Sequence, residues 1–487
     1  MQLTFFSAEG WETWDVDRAP VIPAGMPVLI DDDLIFEDGP GRPRPVLAVN
    51  RWLTELPVSG APSPNSWAYY ARVIKAWMEF VAVCGIEVFD SREALKAALG
   101  KYAEHRAAGP VKDRFVASTW NQHVSVLGVF YRWAISEGYA SAEPFTYRGG
   151  LAVFAGTGRP VEVNLARRRM QKPHVSVKYL EPDFAELFCK ALAGLTPDGT
   201  ADAGFHGREL ARNAAVAQLA LATGLRLTEF SYLLVWEIPV LPAQRTAAPI
   251  PFPVPEGVTK GRKARTTWIS WEALAAVHGY LQLDRPATVD GVAWRPPGRW
   301  GEVLQVTDPG GRGGLVNGVR QRWETLTPSE RRRLVAPGGG SAVLAVKSGG
   351  GPFTAWASLF ERTSDRIRMR FEPRFPHVNP HRTRHTFAMR TLEFLVSGYY
   401  RQAAHLAAGT GTDAALALYL SQADPMLVLR DLLGHSSVLT TEKYLKRLDT
   451  TRIYREAYER AGEAAGLLAT AAEREAEAEF GGDGSER

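Results

Sequence analysis

Leu432-Leu-Gly-His-Ser-Ser437, followed by Thr440-Thr-Glu-Lys-Tyr444, sets a tyrosine nine residues beyond a histidine near the end of a 487-residue chain. Alone, such a tyrosine reads as one on a helix surface. Its weight comes from the residues that precede it. Thr223-Gly-Leu-Arg-Leu-Thr-Glu229 supplies Arg226, Thr259-Lys-Gly-Arg-Lys263 supplies Lys260, and His381-Arg-Thr-Arg-His385 supplies His381 and Arg384 ahead of His435 and Tyr444. Two arginines, a lysine and two histidines suit a phosphate that needs its charge neutralised and protons moved, and a tyrosine in register can act as nucleophile. This is equipment for breaking a DNA strand without a metal.

Arg, Lys, His-x-x-Arg, His or Trp, and Tyr follow one another in the tyrosine recombinases, and Arg226, Lys260, His381, Arg384, His435 and Tyr444 fill those positions in order. The chain resembles that phage-integrase and Xer-like family from about Tyr179 to Tyr444, with a looser match over about Ser66 to Pro144. The resemblance implies a mainly α fold with a small β-hairpin or sheet in the catalytic domain, arranged as a two-domain DNA clamp. It further implies double-stranded DNA with a specific site as partner, a homotetramer on that DNA, a place for an accessory DNA-bending protein, and no cofactor or metal.

A phosphodiester is already anionic and gains charge in the pentavalent transition state. Arg226 and Arg384 are expected to present planar donor forks to the non-bridging oxygens, a geometry that lysine cannot reproduce. His435 would add a third donor. Preorganised donors of this kind contribute about 3 kcal/mol each. The Tyr444 phenol, ordinarily near pKa 10, needs a proton acceptor, for which His381 is expected, and Lys260 is the candidate acid for the 5′-hydroxyl leaving group. The product would be a 3′-phosphotyrosine, resealed without ATP. A type IB topoisomerase and a DNA-binding regulator without catalysis are the alternatives; a helical domain ahead of the catalytic part favours the recombinase. His381 and His385 also stand at a metal-ligand spacing, but a zinc-protease Glu is absent and Arg382 and Arg384 would repel a cation, so His385 reads as a packing or supporting residue.

Composition fits a globular chain of two or three domains: 45% hydrophobic, 23% charged, 14 tryptophans. The net charge of +4 argues little for nucleic acid, whereas the distribution does: Arg167-Arg-Arg169 and the Lys260 to Arg265 run are basic clusters. Arg167, Arg168, Arg169, Arg262 and Lys263 are the candidate DNA contacts, while Arg331-Arg-Arg333 reads as a solvated loop. Cys84 and Cys189 lie in apolar helical patterns and read as buried reduced thiols. No signal-peptide pattern opens the chain and no apolar run approaches the roughly 18 residues of a bilayer span. A cytoplasmic, nucleoid-associated protein is expected.

Along the chain, residues 1–60 are rich in Pro and Asp and read as an extended or partly ordered acidic arm. Residues 61–145 carry apolar positions at spacings of three and four, predicting helices from Ser66, over Ser91 to His105 and from Ser118 to near Gly138, a small helical unit that resembles the family's core-binding domain, the DNA-binding half of the clamp. Gly, Pro and Arg make residues 146–177 a basic interdomain linker. Residues 178–449 form the expected catalytic domain, with helices over Pro182 to Ala193 and Ala211 to Ala222, a Gly224 C-cap, Arg226 at the entrance to the next helix and a hairpin carrying Lys260. Two insertions depart from the compact family pattern, at about 271–375, where Thr327-Pro-Ser-Glu330 signals a capping box, and at about 395–425, expected as a surface helical hairpin. Residues 450–487 read as a helical tail with a polar end, and the resemblance, together with the apolar Ile453, Leu467 and Leu468, implies that it serves oligomerisation in trans.

Overall fold

The computed structural model describes residues 1–7, 21–35, 44–61, 63–154, 157–169, 178–246, 248–410, 424–435, 440, 441 and 444; the side chains of 150–161 and 397–410 are excepted. The expected tail lies outside these residues. The chain divides into two units, Met1–Pro173 and His174–Arg487, mainly helical with small sheets. Among the described residues no helix is long and apolar enough to cross a membrane.

The first unit is built on helices α1 (Pro45–Glu55), α2 (Pro64–Val83), α3 (Arg92–Ala108) and α4 (Ala117–Ser136). Pro45 and Pro64 stand at the first helical turn, where a missing N–H costs nothing, and Ser91 Oγ accepts from Ala94 N at the start of α3. Trp52, Trp77, Trp120 and Phe130 are fully buried at the centre. Trp77 Nε1 donates to Tyr131 Oη (2.9 Å) and Tyr131 Oη to Val88 O (2.9 Å), so the polar tips of two core aromatics are satisfied.

Two segments of this unit differ from the sequence expectation. Within the expected arm, strand β1 (Gln2–Phe5) pairs antiparallel with β2 (Pro27–Ile30), and Met26, Leu29, Trp52 and Leu53 belong to the same core as α2 to α4. Asn50 clamps Leu29 through Oδ1 and Nδ2, both at 2.8 Å. The acidic, proline-rich composition concealed a few apolar anchors spaced too irregularly to register as a period. Within the expected linker, β3 (Tyr147–Phe154) and β4 (Thr157–Asn164) form an antiparallel pair, and the segment after it is tied back by Trp120 Nε1 to Ala166 O (2.7 Å) and by Asn121 with Arg168 backbone bonds.

The second unit opens with α5 (Pro182–Leu192) and α6 (Leu210–Thr223), followed by the short α7 (Leu227–Ser231). The hairpin of β5 (Ile250–Val254) and β6 (Arg265–Ile269) pairs Val254 with Arg265, so Gly257 to Ala264 form its connection rather than a strand. Next come α8 (Trp271–Gly279), continued by a π-turn into α9 (Arg285–Val289), and then a four-stranded sheet that occupies the first insertion. Its strands β7 (Leu304–Pro309), β8 (Gly313–Val316), β9 (Val319–Arg322) and β10 (Leu334–Val335) run in the order β10-β7-β8-β9, and α10 (Pro328–Arg331) starts at the expected capping box, with Thr327 and Glu330 bonding reciprocally. The sheet has its own small core of Val306, Val316, Trp323, Leu326 and Leu334 packed on Leu234.

Arg331 corrects the solvated-loop expectation. Its side chain is fully buried, bidentate to Glu237 (2.5 and 2.7 Å) and donating to the carbonyls of Tyr232 and Leu326 (2.9 Å each). Buried guanidinium needs such partners. The cysteines are half-buried rather than buried, and burial pushes the Cys189 thiol up to about 12. The unit closes with α11 (Trp356–Arg370), the long α12 (Pro380–Thr410) and α13 (Pro425–Leu433). The second insertion therefore begins as a continuation of the helix that carries His381; residues 411–423, which would complete the expected hairpin, lie outside the described residues.

Candidate active site

Gly224 is where the site is assembled. Its φ of +63° ends α6 in the left-handed region that glycine tolerates, and a Cβ there would lie 2.3 Å from Phe387 Cδ1 on α12. Glycine thus lets the end of α6 touch α12. Arg384 Nη1 donates to Gly224 O (2.6 Å), and its Nη2 to Leu433 O in the last turn of α13. One guanidinium thereby joins the carbonyl ends of two helices, where the helix dipoles are negative. Arg384 is 2% exposed, and burial, then the Arg226 charge, bring its pKa down to about 9, so it remains a cation at neutral pH.

Arg226 directly follows that turn at the N-cap of α7 and is half-buried. Its orientation comes from Glu229, which accepts from Arg226 N (2.7 Å) and Nη1 (3.0 Å). The same carboxylate takes both arms of Arg265, on β6, at 2.8 and 2.6 Å, and Arg265 Nε donates to Leu432 O (3.2 Å). Burial raises the Glu229 carboxyl, but the hydrogen bonds and charge of Arg265, with those of Arg226, outweigh it and hold the pKa below the ordinary value. Glu229 and Arg265 had no role in the sequence reading. The legible signal was Glu229 three residues after Arg226, the spacing of facing residues on a helical turn; the Arg265 partnership spans the hairpin and has no local signature.

Tyr444 is 1% exposed and packs with Phe387, Met389, Leu392 and Leu433. Its Oη lies 2.8 Å from Nδ1 of His385, whose ring centroid is 4.3 Å from that of His381. Burial pushes the phenol up to about 12, against the pull of the Arg384 and Arg226 charges. His385, read from the sequence as a packing or supporting residue, is thus the histidine on the tyrosine hydroxyl, while His381 is exposed one turn earlier on α12. An i,i+4 pair of histidines announces that both face one way, and the sequence could not say which one a distant tyrosine meets. His435 follows the left-handed Gly434 C-cap of α13, and its Nδ1 is 3.0 Å from Thr441 Oγ1.

Lys260 and Lys263 are exposed on the hairpin connection, with Gly261 and Arg262 at φ +79° and +50°. The connection rests on the inserted sheet: Arg262 Nη2 donates to Thr325 O (3.2 Å) and pairs with Glu256 (3.3 Å), and a Cβ at Gly257 would lie 2.2 Å from Leu326 O. Its second strand is tied to the arginine cluster through Arg265. The structure therefore brings Arg226, Arg384, His381, His385 and Tyr444 into one cluster and sets His435 beyond the helix end that Arg384 caps. Arg167 to Arg169 belong to the first unit. There Arg167 is exposed, with Nη2 on Ser125 Oγ (2.7 Å), Arg169 is exposed, and Arg168 is turned inward, with Nη2 on Ala103 O (2.6 Å) and its guanidinium 4.6 Å over Trp120.

Residues 49–138 match the family model "Phage integrase, N-terminal SAM-like domain", a range that starts inside α1 and ends just after α4. The matched segment falls within the helical first unit. No curated protein matches the chain. Among solved structures the chain is similar to the Tn1549 transposon integrase in complex with circular intermediate DNA, at 15% identity and a TM-score of 0.45, covering 82% of this chain and 94% of that one. It is also similar to XerH site-specific recombinase bound to its difH substrate (12% identity, TM-score 0.41, 85% and 83% covered) and to XerA recombinase (16%, 0.32, 83% and 95%).

Proposed function

We propose that the chain is a site-specific DNA recombinase that cuts and rejoins strands through a 3′-phosphotyrosine at Tyr444 and exchanges them through a Holliday junction. The observation that carries this reading is the burial of the Tyr444 hydroxyl on a histidine, with Arg384 and Arg226 as the cations that act on it. The phage-integrase SAM-like domain in residues 49–138 supports double-stranded DNA as the substrate.

In this reading Arg226 and Arg384, held by Glu229 and by two helix ends, take the non-bridging oxygens, and His435 adds a donor. The phenol attacks phosphorus, the bond to the 5′-oxygen breaks, and Lys260 on its exposed loop protonates the leaving oxygen. The proton of the phenol passes to the histidine pair at the start of α12. Side-chain cations replace a metal, and a homotetramer on paired sites supplies the second duplex. The test starts from a pool of nicked duplexes with a randomised core, from which those that become covalently attached are recovered and sequenced. Peptide mapping is expected to find the phosphate on Tyr444, with Tyr444→Phe forming no adduct while retaining its DNA affinity; no recovered duplex, or a phosphate on Tyr419 or Tyr454, overturns the proposal.

A further inference from the structure

The motif that resembles a known family offers His381 as the base for the nucleophile, and the geometry offers another residue. His385 Nδ1 stands at hydrogen-bond distance from the reacting oxygen of Tyr444, 2.8 Å, whereas the exposed His381 meets His385 ring to ring, with centroids 4.3 Å apart and planes inclined at 71°. Both partners are held from behind. Tyr444 is packed in an apolar cluster with Phe387, Met389 and Leu433, and His385 sits on α12 between Arg384 and Thr386, both buried, the latter accepting from Leu180 N through Oγ1 (2.9 Å).

We infer that His385 is a catalytic residue, the general base that takes the Tyr444 proton on Nδ1 as the phenol attacks. The inference rests on the recombinase reading above. The step balances: the Tyr444 O–H bond breaks as Nδ1–H forms, the oxygen pair makes the O–P bond, and the P–O5′ bond breaks with its oxygen protonated by Lys260. On resealing, His385 returns the proton to the departing phenol, so no external acid or base enters the cycle. The step requires a neutral imidazole whose Nδ1 carries no hydrogen, so that it can accept from the phenol across the 2.8 Å contact. The burial that makes Tyr444 a poorer acid than a free phenol is the reason a base in contact is needed.

The experiment uses the full chain and the nicked duplex recovered in the selection, and reads single-turnover formation of the covalent adduct together with gel-shift affinity. His385→Ala and His385→Gln are both expected to lower the adduct rate by about 10²- to 10⁴-fold with affinity unchanged. Glutamine can accept the hydrogen bond but cannot take the proton. Replacing Tyr444 by difluorotyrosine, a more acidic phenol, is expected to restore much of the rate to His385→Ala and little to His381→Ala. In the otherwise intact protein, the imidazole nitrogen resonances of His385 are expected to move on Tyr444→Phe and those of His381 to stay. Wild-type rates in His385→Gln, rescue of His381→Ala instead of His385→Ala, or unmoved His385 resonances would overturn the inference while leaving the recombinase reading intact. An absent Tyr444 adduct in the wild type removes both.

Discussion

At the scale of single residues, the cluster is organised by a carboxylate and not by its cations alone. Glu229 is fully buried and holds Arg226 with one set of bonds and Arg265 with another. Removing it leaves Arg265, 9% exposed, beside Arg226 and Arg384 without compensation. Glu229→Ala is therefore expected to destabilise the second unit by about 3–5 kcal/mol, as loss of one member of a buried ion pair does, measured by urea unfolding at neutral pH. The sign with acid follows from the depressed pKa. A carboxylate held below its unfolded value contributes stability above that value and loses it as pH falls through the folded one. The stability gap between wild type and Glu229→Gln is expected to shrink below about pH 4.5, and a gap that stays constant from pH 7 to 3 would show that the charge of Glu229 is not what stabilises the cluster.

At the scale of elements, the hairpin connection couples the candidate active site to the inserted sheet. Lys260 is exposed at the turn, and the peptide at Gly257 approaches the Leu326 carbonyl closely enough to exclude a side chain. A 5′-bridging sulfur turns the leaving group into a thiolate that needs no proton. Lys260→Ala is expected to cleave ordinary DNA very poorly and the sulfur-substituted strand almost normally, with Lys263→Ala showing little preference; the reverse pattern assigns the acid to Lys263. Gly257→Ala, which displaces the connection from Leu326, is expected to show the same sulfur rescue in weaker form. In the first unit, α1 is an equal part of the core although its sequence surroundings look like an arm. Trp52→Ala is expected to cost about 3–5 kcal/mol, read as a lowered denaturant midpoint for that unit, whereas an arm residue would shift it by less than about 0.5 kcal/mol.

At the scale of the whole molecule, the net charge of +4 is small, so the DNA binding proposed above is expected to depend on where the cations stand. Each phosphate neutralised releases condensed counterions, and the logarithm of affinity is expected to fall linearly with the logarithm of salt concentration by about 0.9 per contact. Arg167→Ala should reduce that slope by about one and Arg168→Ala should not, because the Arg168 guanidinium is occupied by Ala103 O and the Trp120 face. Adduct formation should persist in excess chelator; loss in EDTA that magnesium or zinc reverses would return a metal to the mechanism. The helices with regular apolar spacing, the Gly224 cap, the Thr327 capping box and the grouping of Arg226, Arg384 and Tyr444 were legible from the chain, because periodicity, a left-handed glycine and ordered motifs are local properties. The pairing of β1 with β2, the place of α1 in the core, the pairing of β3 with β4, the burial of Arg331 on Glu237, the Glu229–Arg265 bracket and the contact of Tyr444 with His385 instead of His381 were decided only by the tertiary structure. Each depends on which surfaces meet across tens to hundreds of residues, and a side chain's partner at that distance is set by packing, which no local pattern encodes.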